Sequence, residues 1–260
     1  MAIKIALATQ KGGIGKTTTS LCLAAELRKK KKKVLLVDMD PQMNSTFVYN
    51  AQTEGVATVA DIIFDSCSAQ ECIQHMENGD IIANDEQLNN ADTMVPPGPL
   101  MYNYIKNALK EVEDAYDYII FDAPRGVGVL LGNILMAADY VIIPVECEAF
   151  GITGLVSFYS KIQEFASVNT SLKLLGILII KYKERQRLTA DIEGTMLNDI
   201  ANQIGTRIFK TRIRESVKTR ESQTLQKNLN EYAPNSTTAI DYHDFTNEII
   251  KCIKEDRKNG

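Results

Sequence analysis

Short apolar runs alternate with longer stretches of helical spacing along this chain. Ile3–Ala8 and Val34–Val37 read as buried strands. Between them, from Thr18 to Lys30, Leu21, Leu23, Ala24 and Leu27 recur at helical intervals. Strand, turn, helix and strand, with little polar alternation in the strands, is the pattern of a parallel sheet covered on both faces. The alternation continues with strands at Tyr118–Phe121, Tyr140–Val145, Leu174–Ile180 and Arg207–Ile213. Helices are predicted over 127–138, 152–166 and 188–204, with a closing helix over 238–255. Residues 41–105 are less regular. Thr58–Phe64 predicts a helix opening at a threonine cap, Val95–Pro99 a loop, and Met101–Ala115 a further helix. No repeat or linker interrupts the chain, so the expectation is one doubly wound α/β domain over residues 1–260, a mostly parallel sheet with helices on both faces.

Composition narrows the class. The 260 residues are 45% hydrophobic and 24% charged, which fits a globular protein with a full core and excludes disordered, collagenous and disulfide-scaffold chains. Five scattered cysteines (Cys22, Cys67, Cys72, Cys147, Cys252) form no CxxC pair, and there are only two histidines, so a zinc or iron–sulfur site within one chain is not expected. Unpaired thiols fit a reducing cytoplasm. No apolar run reaches the ~18 residues that span a bilayer, and no signal peptide is expected ahead of a motif that begins in the first dozen residues. The net charge of −4 conceals a division. Val34 to Ile105 contains eleven acids and no lysine or arginine, which leaves 29 bases against 22 acids, or +7, on the remainder. An acidic chain can thus present a basic face. The run Lys29–Lys33 has a plainer reading, a solvated helix end with cations near the helix C-terminus.

The strongest chemical signal is Lys11, Gly12, Gly13, Ile14, Gly15, Lys16, Thr17 and Thr18, which follow a predicted strand and open a predicted helix. Glycines let backbone N–H groups approach phosphate oxygens. The helix N-terminus adds its positive end. Lys16 supplies a point charge to the β- and γ-phosphates, and the Thr17 hydroxyl can ligate Mg²⁺. The usual GxxxxGK[ST] pattern fails only at its first glycine, which is Gln10, and an extra lysine, Lys11, stands beside it. This KGGxGKT form resembles the ParA/MinD family of P-loop ATPases. The resemblance implies that Lys11 reaches across a dimer interface to the partner's nucleotide. Two facing ATP molecules carry several negative charges, and an added cation offsets part of their repulsion.

Three aspartates complete the candidate site. Asp38 and Asp40 end the second strand two residues apart, so their side chains share a side. Both can face the carboxyl edge of the sheet, where ligands bind in α/β folds. Asp122 follows the apolar run Tyr118–Phe121, the position expected of a Walker B acid holding Mg²⁺. The pattern DxDPQxN over Asp38–Asn44 looks like the ParA branch. Carried over, Asp40 matches the acid that positions the attacking water, and Asp38 the acid near the metal. The plainer reading of Asp40 is a turn-initiating aspartate before Pro41. The resemblance extends through Tyr140–Glu148 and Arg220–Ser236 and covers almost the whole chain, with residues 50–100 weakest. It departs at Arg125, where the family often has a second proline after Pro124, and at Ile213-Arg214-Glu215, where Ile-Pro-Arg is usual near the adenine.

Two basic segments remain. Lys181, Lys183, Arg185 and Arg187 form one, and Lys210, Arg212, Arg214, Lys218 and Arg220 lie in the other. Similar positions in the family form a DNA-binding surface, and the plainer reading is a solvated face with ordinary ion pairs. There is no base-reading module and no room for one before the first strand, so contacts to phosphates, without sequence specificity, are expected. The resemblance implies an ATP- and Mg²⁺-dependent DNA-partitioning ATPase for plasmid or chromosome segregation. Its sandwich homodimer would bind nonspecific DNA and be released when a ParB-like or other cargo adaptor stimulates slow hydrolysis. It would be cytoplasmic and nucleoid-associated, with no membrane contact. The alternatives are a MinD-like membrane-surface positioning ATPase, which needs an apolar face on the closing helix, and a metabolic P-loop enzyme such as a ligase or small-molecule kinase.

Overall fold

The computed structural model describes residues 1–65, 67–146, 154–182 and 187–259. Eight strands form one sheet: β1 (Ile3–Leu7), β2 (Val34–Asp38), β3 (Ile73–Met76), β4 (Gly79–Ile82), β5 (Tyr118–Asp122), β6 (Tyr140–Glu146), β7 (Lys173–Tyr182) and β8 (Ile208–Arg214). Their order is β3-β4-β2-β5-β1-β6-β7-β8. Every pairing is parallel except the β3–β4 hairpin at the edge. The chain runs from β1 outward to β2 on one side and later to β6 on the other, so the sheet order reverses at β1, where such folds bind ligands.

Side-chain alternation assigns the two faces. Ile5, Leu7, Leu36, Ile120 and Ile142 pack with Leu23 and Leu27 of the helix Lys16–Lys29 and with Phe245 and Ile249 of the closing helix Thr237–Asn259. Ala6, Leu35, Val37, Phe121 and Val141 face the opposite layer, which includes helices Tyr104–Leu109, Val129–Ala137 and Leu155–Ala166. Helix Val129–Ala137 starts at Gly128, which has no side chain to cap it. Asp92 supplies the cap instead, accepting from the Val129 N–H at 2.7 Å.

The irregular region holds more structure than its sequence pattern predicted. Residues 73–82 form a hairpin around Glu77–Asn78, and Asn44–Tyr49 is helical. The helix expected over Met101–Ala115 is confined to Tyr104–Leu109, followed by a 3₁₀ turn at Glu113–Ala115. Tertiary contacts take the latter segment: the Ala2 N–H donates to the Glu113 carbonyl at 3.1 Å, and Lys4 pairs with Glu113 at 2.7 Å. Helix Val217–Thr224 was also not anticipated. The lysine run closes helix Lys16–Lys29, with Lys31 in the left-handed region and the Lys32 N–H donating to the Leu27 carbonyl at 3.1 Å.

Candidate active site

The loop after β1 turns through Gly13 (φ 74°) and Gly15 (φ 56°) into helix Lys16–Lys29. Both conformations favour glycine. Gly15 is the N-cap and no side chain caps the first turn, so the helix opens with backbone N–H groups directed at a cleft. That arrangement receives an anion. Lys16 begins the helix and is only 5% exposed. Burial lowers the pKa of its ammonium, while Asp40 and Asp122 oppose that shift and Arg125 reinforces it.

Sheet register brings the acids together. β2 and β5 place Asp38 beside Asp122, and β1 places Leu7 beside Asp122 on its other side. Asp122 is fully buried and accepts from Ser45 Oγ at 2.8 Å and from Ser20 Oγ at 3.4 Å, and the nearby Thr17 hydroxyl favours its charged form. Asp38 is equally buried. Its Oδ2 accepts from the Thr46 N–H at 2.7 Å and the Thr46 hydroxyl at 2.8 Å, and its Oδ1 from the Asp40 N–H at 3.2 Å. Burial raises the pKa of both carboxyls. The charge of Asp122 raises Asp38 further, against the Thr46 hydrogen bonds. Those bonds make Asp38 the anchor of the segment 40–46. Asp40 initiates a turn, its Oδ1 accepting from the Gln42 N–H at 3.0 Å, and it also lines the cleft. The turn reading of Asp40 thus holds, and the turn leaves the residue on the cleft.

Among the described residues no group of three or more His, Cys, Asp or Glu could hold a metal ion alone. The Thr17 hydroxyl and the Asp122 carboxylate instead lie near each other at the start of the helix that follows the phosphate loop. That donor set fits Mg²⁺, which takes few protein ligands and shares the rest with phosphates and water.

The cleft has a volume of about 640 Å³. Gly13–Thr18 form its floor, and Ile180, Lys181 and Ile213–Ser216 form the far wall. Gln223 Nε2 donates to Thr18 Oγ1 at 2.9 Å, a link with no sequence signal. The structure divides the basic residues singled out from the sequence. Lys181 turns inward, donating to the Gly13 carbonyl at 2.9 Å and pairing with Glu146 at 2.5 Å. Arg214 is fixed by Asp241 at 2.7 Å, and both Arg214 and Arg220 line the cleft. Lys210 and Arg212 lie on β8, the edge strand, with Arg212 over the Tyr182 ring at 4.9 Å. Lys218 pairs with Glu221 at 2.8 Å. Lys183, Arg185 and the side chain of Arg187 lie outside the described residues. Lys11 is not part of the cleft wall. Its ammonium faces Glu146 at 3.9 Å.

A protein-family profile described as an AAA domain matches residues 2–174. The sporulation initiation inhibitor protein Soj of Bacillus subtilis is 34% identical over 249 residues, covering 94% of this chain and 97% of that protein. The virulence plasmid ParA family protein pGP5-D of Chlamydia psittaci is 31% identical over 258 residues, covering 98% and 96% respectively. Among solved structures, cobyrinic acid a,c-diamide synthase from Mycobacterium smegmatis with bound ADP and magnesium superposes with a TM-score of 0.82. It is 28% identical, and the match covers 98% of this chain and 96% of that one.

Proposed function

The chain belongs to the ParA family of P-loop ATPases, and from that premise we propose that it is an ATP-driven DNA-partitioning switch. The carrying observation is Lys16, buried beside Asp40 and Asp122 at an uncapped helix N-terminus that opens on the cleft. In this reading the loop Gly12–Thr18 cradles the phosphates of ATP, with Lys16 on the β- and γ-phosphates. Thr17 and Asp122 are the residues that would hold Mg²⁺, with Asp38 behind them, and the ion would supply neutralisation of phosphate charge. Asp40 orients the attacking water, a contribution of positioning more than of proton transfer. Ile180 and Ile213–Ser216 also line the cleft, away from the phosphate loop in sequence.

Lys11 acts between subunits. Within one chain it is parked on Glu146 and largely outside the cleft, free to exchange that partner for the second subunit's nucleotide. The ATP-bound homodimer then doubles the number of cations available to DNA, which doubles the salt sensitivity of binding. Lys210, Arg212 and Lys218, exposed and outside the cleft lining, are the candidates for those contacts. An adaptor that stimulates hydrolysis ends the cycle by releasing the dimer. A MinD-like membrane role is disfavoured because the closing helix spends its apolar stripe inside: Ile249, Cys252 and Ile253 are buried against the sheet. A metabolic enzyme would turn ATP over rapidly with a small-molecule substrate and without DNA.

The test is retention on nonspecific DNA with ATP and with ADP, alongside light scattering. Wild-type protein is expected to dimerise and bind DNA only with ATP. Lys11→Ala is expected to bind ATP but remain monomeric. Equal DNA retention with both nucleotides would refute the switch.

A further inference from the structure

Arg125 is used by nothing in the account above. It leaves the end of β5 on the segment Asp122-Ala123-Pro124-Arg125, ahead of a turn at Gly126 (φ 88°). Its side chain folds back across the phosphate loop. A Cβ built on Gly12 would lie 3.1 Å from Arg125 Cδ, 3.2 Å from Nε and 3.3 Å from Nη1. Gly12 thus leaves the space in which this guanidinium rests. Arg125 is exposed, lines the cleft with Lys16 and Asp40, and also borders an adjoining recess of about 190 Å³ with Asp40, Gln42 and Asp92. Among the described residues it has no ion-pair partner. An exposed arginine that lies along a phosphate loop without a carboxylate of its own is placed to meet an anionic ligand.

We infer that Arg125 binds the terminal phosphate of the nucleotide, adding a guanidinium to the ammonium of Lys16 at the phosphate loop. The inference rests on the reading that the cleft takes ATP. Arginine's planar fork matches two phosphate oxygens at once, which a lysine cannot do. The position selects the γ-phosphate, because Arg125 shares the recess with Asp40, the residue that orients the water attacking that group. Charge on the equatorial oxygens of the transferred group in a loose transition state is what such a cation stabilises. Arg125 is therefore predicted to discriminate ATP from ADP and to speed hydrolysis within a subunit.

The test measures affinity of the full chain for a non-hydrolysable ATP analogue and for ADP, both with Mg²⁺, and hydrolysis at saturating ATP. Arg125→Met keeps an aliphatic stem over Gly12 and removes the charge, and Arg125→Lys restores a charge without the fork. Arg125→Met should weaken the analogue by about tenfold or more, leave ADP within about threefold, and slow hydrolysis by about tenfold or more. Arg125→Lys should recover part of the loss. Thermal melting without nucleotide should match wild type, since the residue is exposed. Equal weakening of both nucleotides, or no change in either, overturns the role of Arg125 while leaving the ATP reading intact. Wild-type protein that binds neither nucleotide overturns both.

Discussion

The phosphate loop and the segment from Asp38 to Thr46 line the same cleft but are held by different means. The loop is shaped locally, by left-handed glycines and the start of its own helix. The second segment is knit to remote parts of the chain. Thr46 binds Asp38, Ser45 binds Asp122, the Met39 N–H donates to the Asp122 carbonyl at 3.0 Å, and Asn84 Nδ2 donates to the Asp40 carbonyl at 2.8 Å. The Asn84 N–H in turn donates to Thr46 Oγ1 at 2.9 Å. One cleft element can thus be written in eight consecutive residues, whereas the segment carrying Asp40 depends on Asn84, just after β4, and on β5.

That contrast can be broken in graded steps. Lys16→Ala strikes the local element and should reduce ATP affinity by about 100-fold or more. Nucleotide titration checks this, with circular dichroism expected to show the fold retained. Asp40→Ala strikes the remote element's chemistry. Hydrolysis should fall by about 100-fold while ATP affinity stays within about threefold, leaving an ATP-locked dimer. If both variants lost binding equally, the division of labour would be wrong. Thr46→Val removes a hydroxyl that serves Asp38 and Asn84 together, and should cost about 1–3 kcal/mol in urea denaturation. An unchanged midpoint would show that the segment does not lean on that bond. The smallest effect belongs to the basic edge: Lys210→Ala with Arg212→Ala should lower the magnitude of the DNA salt slope by about 1.8 per subunit. An unchanged slope would return these cations to the ordinary task of keeping an edge strand from pairing with other chains.

Legibility in the sequence followed the same divide. The central strands, the phosphate loop and Asp122 could be read because each is a contiguous pattern: an apolar run, a glycine turn, an acid at a strand end. The hairpin at residues 73–82 escaped although Asn78-Gly79 is a turn signal, because its strands are four residues each and β3 is only partly buried, so apolar periodicity is weak there. Lys181 and Arg214 belonged by sequence to a basic face, but one turns to the Gly13 carbonyl and the other to Asp241. Charge density along a chain does not say which way each side chain points. Arg125 registered only as a departure from a family pattern, and its place over Gly12 has no signature in local spacing.

The sequence by itself determined the doubly wound order of strands and helices and the presence of a phosphate cradle, since both arise from backbone preferences and burial periods that act over a few residues. Only the tertiary structure decided which acids stand side by side, which cations enter the cleft and what anchors the segment 38–46. Those outcomes depend on parallel register between strands distant in the chain, which places Asp38 beside Asp122 across 83 intervening positions, and no local pattern encodes that pairing.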